Sequence, residues 1–443
     1  MNTDFAPAGR LLSEAEALRL RPLHIAIVLV CGLGFMFDIA DLNIGGVLSA
    51  VFSAPPHAQP PGKLAWLLAA PYIGGVPGAI LFGWIADRLG RRTALLGILG
   101  LLGVTSIAAT GAHGIETLTF LRIASGLALG AFPPVVMAFL ADHVPADHRG
   151  SLLMVASALG LAGAPLSIFF IRGMGAAQPL GLEAWRWAFL LYGLASLVLA
   201  VGLGFLPEAV RWLAQAGKYE QARRVIDRLA AGPELAAGRA APHAKVPAAA
   251  AATPGMSRGR YVLSMVFNLV IPWATVAFPL LSGAILIQKG VKLPDALLYV
   301  GIAAIAPVIG MLLSAFIIDA LGRRTALWTT GAVMLLALVG FLFGTGPAVL
   351  IGSGFLFQIA GSLFVPASAI YFAEQFPTAI RGRATSALWS LNRFGAVIAP
   401  LVLLPLLRAH GTGPLAVVIG GALLAAIALV WMMPRGRARQ VLQ

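Results

Sequence analysis

Two aspartates, Asp38 and Asp41, lie three residues apart inside the apolar stretch Leu23–Phe52. On a helix that spacing puts both carboxylates on one face. Neighbouring acids in apolar surroundings repel when both are ionised, so at least one is suited to bind and release a proton. Two arginines are placed just as unusually. Arg122 precedes Asp142 by 20 residues in the apolar stretch Ile115–Ala141, which sets it about 30 Å from that end of a helix. Arg393 lies ten residues past Arg383, about 15 Å deep on the same arithmetic. A charge near the centre of a bilayer costs roughly 2.5–3.5 kcal/mol on insertion scales, so one kept there is functional by default. Asp41 is at a depth comparable to Arg122, and a proton or substrate that perturbed an Asp41–Arg122 pair would couple the two ligands. Arg393 has Trp389 on its own helix face and Asn392 beside it. A guanidinium facing a cavity there suits a carboxylate, with Trp389 to stack on a ring. Gln358, Trp273 and Asn43 are further candidates for a cavity wall.

These residues need a membrane around them, and the composition supplies one. The chain has 443 residues, 59% hydrophobic and only 11% charged, with mean hydropathy +0.90. A soluble chain carries about 25% charged residues. Apolar stretches long enough for a bilayer, about 20 residues each, recur six times between Leu23 and Leu206 and six times between Tyr261 and Met433. The expected fold is therefore an all-α membrane protein, with twelve transmembrane helices in two six-helix bundles, 23–206 and 261–433. Residues 1–22 and the basic 434–443 form tails. The first stretch is too long for a cleaved signal and lacks a small-residue cleavage site. No segment alternates as a barrel strand would. A single cysteine, Cys31, leaves no disulfide framework.

Of 31 basic residues, 23 fall on the side of the termini, six on the opposite side and two within spans. That bias predicts a cell-membrane protein with both termini cytoplasmic. It also explains the net charge of +14 as topology plus attraction to anionic lipid, with no nucleic-acid partner. Residues 207–260 join the halves. Glu208–Leu229 sets Trp212, Tyr219, Ala222, Ile226 and Leu229 at helical spacing among arginines, which predicts an amphipathic helix at the cytoplasmic surface. Ala230–Gly255 is Ala-, Pro- and Gly-rich, a flexible linker.

The halves repeat. Asp87-Arg-Leu-Gly-Arg-Arg-Thr-Ala-Leu95 returns as Asp319-Ala-Leu-Gly-Arg-Arg-Thr-Ala-Leu327, and Ala141–Gly150 returns as Ala373–Gly382 (319 − 87 and 373 − 141, both 232). One offset for two separated matches indicates a duplicated six-helix unit, the architecture of transporters that hold substrate between halves and rock around it. Asp87, Arg91, Arg92, Asp142 and Arg149 recur as Asp319, Arg323, Arg324, Glu374 and Arg381. Bidentate Arg–carboxylate pairs across the halves would latch the cytoplasmic side shut and part when it opens. The intramembrane charges do not recur: Asp38, Asp41 and Arg122 map to Val270, Trp273 and Gly354. Repetition marks scaffold, and its absence marks candidates for chemistry.

Gly83-Trp-Ile-Ala-Asp-Arg-Leu-Gly-Arg-Arg92 and its copy at Asp319–Arg324 resemble the loop signature of the major facilitator superfamily. Arg122-Ile-Ala-Ser-Gly126, Pro207-Glu-Ala-Val-Arg-Trp212 and the acid…Pro…Arg-Gly segments resemble its sugar-porter branch and metabolite:proton symporter relatives. The resemblance implies two pseudo-symmetric bundles around one cavity, adds Glu208 and Arg211 to the cytoplasmic network, and supports the Asp41–Arg122 pairing. Helix 7, Ile271–Ala284, lacks the paired glutamines and the asparagine of the sugar branch. Phe37-Asp-Ile-Ala-Asp41 resembles the Asp-Gly-aromatic-Asp stretch of aromatic acid:proton symporters, with Ile39 and Ala40 in place of the Gly and the aromatic. The function expected is proton-coupled symport of a small organic acid. It would be driven by the proton gradient without a cofactor, by a monomeric unit in contact with lipid. Alternatives are a proton-coupled exporter, for which Gly160-Leu-Ala-Gly-Ala-Pro165 is a partial motif, and a sugar or polyol porter. No nucleophile–base set or metal cluster points to an enzyme.

Overall fold

The structure is a computed structural model that describes residues 5–175, 177–235, 258–376 and 378–433. The linker 236–257, the tail 434–443 and the side chains of Asp319 and Arg381 lie outside the described residues. Among the described residues, twelve helices are long and apolar enough to cross a membrane. They are α1 Pro22–Val51, α2 Pro61–Leu89, α3 Arg91–Thr110, α4 Ile115–His143, α5 Ala146–Met174, α6 Ala184–Gly204 and α7 Gly259–Gln288, then α8 Leu293–Leu321, α9 Arg323–Phe343, α10 Pro347–Gln375, α11 Thr378–His410 and α12 Thr412–Met432.

The sequence sets the boundaries. Pro22, Pro61 and Pro347 open helices, where a missing N–H costs nothing. Gly90 and its copy Gly322 separate α2 from α3 and α8 from α9 with φ of +106° and +77°, a region that glycine enters without a Cβ penalty. Proline also breaks helices internally. The α4 span runs as Ile115–Leu129 and Phe132–His143 around Pro133 and Pro134. The α7 span runs as Arg258–Val270, Pro272–Thr275 and Ala277–Gln288 around Pro272 and Pro279. That fragmentation is a feature absent from the uniform spans expected.

The packing repeats as the sequence does. In the first half α1 packs on α5, α2 on α4 and α3 on α6; in the second α7 packs on α11, α8 on α10 and α9 on α12. The halves meet through α1 with α7, α2 with α11 and α5 with α8. Gly74, Gly78 and Gly126 permit the close approach of α2 and α4: a Cβ on Gly74 would lie 2.0 Å from the Ile123 carbonyl.

The post-α6 segment departs from expectation. It forms two helices, Val210–Gln215 and Tyr219–Leu229. Ala222, Ile226 and Leu229 face protein, packed with Leu11, Leu206, Val210 and Leu213. Protein therefore covers the apolar face expected at the membrane surface. The cover includes an N-terminal helix, Phe5–Glu16, which the reading of the spans passed over. Glu14 pairs with Arg223, and Glu16 with Arg211 at 3.4 Å.

Candidate functional site

The α1 helix brings Asp38 and Asp41 to one buried face, both 0% exposed. Arg122 of α4, 2% exposed, donates from Nη1 to Asp41 Oδ1 and from Nη2 to the Asp41 carbonyl at 2.9 Å. Ser106 of α3 donates to the other carboxylate oxygen at 2.5 Å. The Phe189 ring lies against the guanidinium, 5.4 Å from centroid to Cζ. Asp41 and Arg122 thus form a closed network spanning α1, α3, α4 and α6. Asp38 differs. Neither of its carboxylate oxygens has a hydrogen-bond partner among the described residues. The charges that act on it are Asp41 on its own helix and Arg393 from the other half. An ionised carboxylate left unpaired in a low-dielectric interior is expensive, and such groups neutralise instead.

Arg393 does not line either central cavity described below, contrary to the expected substrate contact. Its Nη2 donates to the Gly130 carbonyl of α4 at 3.2 Å. The reason is local: Gly75 and Gly130 leave a slot in the first half, and a Cβ on Gly75 would stand 2.6 Å from Arg393 Nη1.

Two cavities lie nearby. One, of about 230 Å³, sits toward the face that carries the termini, between α7, α10 and α11. Trp389 and Asn392 line it as expected from α11, with Phe364, Phe372, Asn268 and Thr385. Trp389 is 56% exposed, so its ring is free to receive a partner. The second, of about 200 Å³, lies between the halves and is walled by Asn43, Tyr72, Thr275, Val276, Pro279 and Gln358, among others. Thr275 and Val276 border both cavities. Proline at 279 removes the N–H that would bond the Thr275 carbonyl, which is why α7 unwinds between the cavities. Trp273 is the expected wall residue that the structure puts elsewhere. It packs on the hydrophobic core. Two residues along a helix are about 200° around it, so Trp273 faces away from the side that Thr275 presents. Sequence reasoning missed Ser106, Tyr72, Asn268 and Thr275. Only the last two carried a signal, as polar residues beside the α7 prolines.

The cytoplasmic-gate candidates pair within halves and not across them, among the described residues. Arg91 binds Asp142, and its copy Arg323 lies 3.5 Å from Glu374. The repeated residues make the repeated tie, α3 to α4 and α9 to α10. Arg211 adds a second contact to Asp142 at 3.5 Å. Glu208 accepts from the Arg92 backbone N–H at 2.9 Å while the Arg92 side chain reaches the Gly204 carbonyl. Arg149 donates to Val144 O at 3.5 Å, and Arg324 to Trp431 O at 2.7 Å. The Asp87 carboxylate is exposed, while its carbonyl accepts from Trp212 at 2.9 Å. Besides Arg393 to Gly130, two polar contacts that cross between the halves lie away from the termini. Arg408 donates to Ser53 O at 3.2 Å and Arg172 to Pro294 O at 3.1 Å. There too, a Cβ on Gly283 would meet Gly46 O at 2.7 Å. The halves are in contact on that face.

A sequence model described as "Sugar (and other) transporter" matches residues 24–436. The chain is 26% identical over 421 residues to the niacin transporter NiaP of Acinetobacter baylyi, covering 90% of this chain and 91% of that one. It is 24% identical over 396 residues to the arabinose-proton symporter of Bacillus subtilis, covering 82% and 81%. Its fold matches the inward-open xylose transporter XylE of Escherichia coli with TM-score 0.73 at 18% identity, over 94% and 98% of the chains. A family match across nearly the whole length, on twelve spanning helices with a duplicated loop signature, makes this chain a multi-pass member of the sugar (and other) transporter family of the major facilitator superfamily: a secondary transporter, not an enzyme.

Proposed function

We propose that the protein imports a small organic acid, an aromatic carboxylate first, together with a proton. It works as a monomer in the cell membrane with both termini cytoplasmic. The observation that carries the reading is the fully buried carboxylate of Asp38, with no hydrogen-bond partner on either oxygen among the described residues. A neutral acid fits that place, and a transported proton makes it neutral. The substrate's ring lies against Trp389 and Phe364, and its polar end meets Asn392 and Asn268. Asp41 and Arg122 hold the helices around Asp38 in place. The niacin relative carries a substrate of this chemistry by name, and closure on the face away from the termini suits a form that opens to the cytoplasm.

Purified protein in liposomes, offered nicotinate, benzoate, succinate, xylose and a lipophilic cation at two external pH values, tests this. Uptake of the aromatic acids driven by external acid is expected. Xylose uptake without aromatic acid uptake would replace the reading with a sugar porter. That second reading draws on the arabinose-proton symporter relative and on the amides Asn43, Asn268, Gln358 and Asn392 in the cavity walls. Extrusion of the cation against a proton gradient would make it an exporter.

A further inference from the structure

We infer that Arg393 is a positioning residue through which the proton on Asp38 is read by the other half of the protein: one guanidinium serves two acceptors, the Gly130 carbonyl when Asp38 is neutral and the Asp38 carboxylate when it is ionised. The inference rests on the proton-coupling part of the proposed function and not on the substrate.

The first acceptor is made by sequence. In an α-helix the carbonyl of Gly130 would bond the N–H of residue 134, and residue 134 is proline. The helix breaks there and leaves a carbonyl at membrane depth that needs a donor from elsewhere. Arg393 of α11 supplies it at 3.2 Å. The slot is shaped for the purpose. Gly75 has no Cβ to block Nη1, and a Cβ on Gly130 would lie 2.2 Å from the Gly75 carbonyl, so α2 and α4 touch backbone to backbone where the guanidinium enters.

The second acceptor is Asp38, fully buried with both oxygens unpartnered. The charged and titratable groups around it are few. Asp41 shares its helix and Arg122 of α4 is bound to Asp41. Tyr72 of α2 lies near Arg393, and Tyr192 of α6 is hydrogen-bonded to Ser167 of α5. Among the described residues Arg393 is the cation left to answer a charge on Asp38. A guanidinium carries five N–H donors, and a bond to a carboxylate is roughly twice as strong as one to a neutral carbonyl. Loss of the proton from Asp38 therefore draws Arg393 off Gly130. The contact of α11 with α2 and α4, part of the seam between the halves, then loosens. Proton occupancy and the fit of the halves become one equilibrium.

The test is an infrared pH titration of the full-length protein in lipid, with no substrate present. The carbonyl stretch of a protonated carboxyl is followed, and Asp38→Asn identifies the band. Arg393→Gln removes the cation that favours the ionised acid, so the Asp38 midpoint rises by about one pH unit or more, a tenfold gain in proton affinity. Arg393→Lys keeps the charge and stays near the wild-type midpoint. Pro134→Ala restores the N–H that Gly130 lacks, releases Arg393 to Asp38, and lowers the midpoint. It does so without touching either charged residue, which a merely structural Arg393 would not explain. A midpoint unmoved by both Arg393→Gln and Pro134→Ala overturns the inference and leaves proton coupling standing. Absence of any carboxyl band removed by Asp38→Asn overturns both.

Discussion

Asp38→Asn and Asp41→Asn are the same chemical change three residues apart, and the structure predicts opposite consequences. Asp41 accepts from both Arg122 and Ser106 inside a sealed cluster. Neutralising it leaves Arg122, 2% exposed, without its counter-charge. Removing one partner of a buried ion pair costs about 3–5 kcal/mol. Hydrogen bonds within membrane bundles fall nearer 1 kcal/mol because the unfolded chain finds partners in lipid too. Asp41→Asn should therefore destabilise by about 2–4 kcal/mol between those limits. Asp38 has no bond to lose. Asp38→Asn should stay within about 0.5 kcal/mol of wild type, the range of a substitution that breaks no partner. Function should invert that order. Asp38→Asn fixes the site in a form that resembles the protonated acid, so uphill uptake driven by a pH gradient is lost while exchange of internal for external nicotinate continues. Asp41→Asn lowers uptake and exchange together, in step with the amount of folded protein. Unfolding in mixed micelles and the two transport modes in liposomes measure all four quantities. Asp38→Asn with acid-driven accumulation intact, or with a stability loss equal to that of Asp41→Asn, would refute the division of labour between the two carboxylates.

Other consequences follow from single contacts. Trp389→Ala removes a half-exposed ring from the cavity wall; stability should hold, and affinity for aromatic acids should fall about 2–10-fold, the worth of one ring contact, with succinate little affected in competition assays. Gly126→Ala places a Cβ 2.4 Å from the Pro71 carbonyl, a backbone clash that costs about 1–3 kcal/mol or more. Gly100→Ala, with nothing within 4 Å of its Cβ, should instead stabilise by up to about 1 kcal/mol as a helix-interior change. Unfolding of the pair checks that the α2–α4 seam and not glycine content decides. Lys289→Met deletes donations to the carbonyls of Phe341, Leu342 and Gly344 at 2.8, 3.0 and 2.6 Å. It should cost about 1.5–3 kcal/mol with transport kinetics unchanged.

The sequence made much of this legible because lipid simplifies it. Twelve spans and their ends follow from length, hydropathy and proline or glycine at boundaries, since every backbone group in hydrocarbon must be satisfied by the protein and a helix satisfies nearly all of its own. The Asp41–Arg122 contact was legible for a related reason: two isolated opposite charges at one depth have few partners to choose from. What stayed hidden depends on how helices rotate against each other. Trp273 looked available because periodicity alone does not say which side of α7 meets the cavity. Arg393 looked like a substrate ligand because a proline-orphaned carbonyl in α4 is invisible until α11 is laid beside it. The amphipathic Tyr219–Leu229 looked like a membrane-surface helix because an apolar stripe does not say whether lipid or the N-terminal helix will cover it.

The gate residues show what repetition can and cannot reveal. A residue copied at a fixed offset is placed twice in equivalent surroundings, so Arg91–Asp142 and Arg323–Glu374 recur as the same tie within each half. Such pairs make each bundle rigid. Rigidity of the halves is what lets a change at one seam move the opposite face, because bodies that deform would absorb the displacement locally. On the proposed reading, the work of coupling falls to groups with no copy, since a symmetric pair of sites could not tell one half from the other. Asp38 belongs to the first half and Arg393 to the second. The proline-freed carbonyl of Gly130 and the unpartnered carboxylate of Asp38 are where the pseudo-symmetry is broken, and in the proposed coupling a proton arriving there has a direction in which to push.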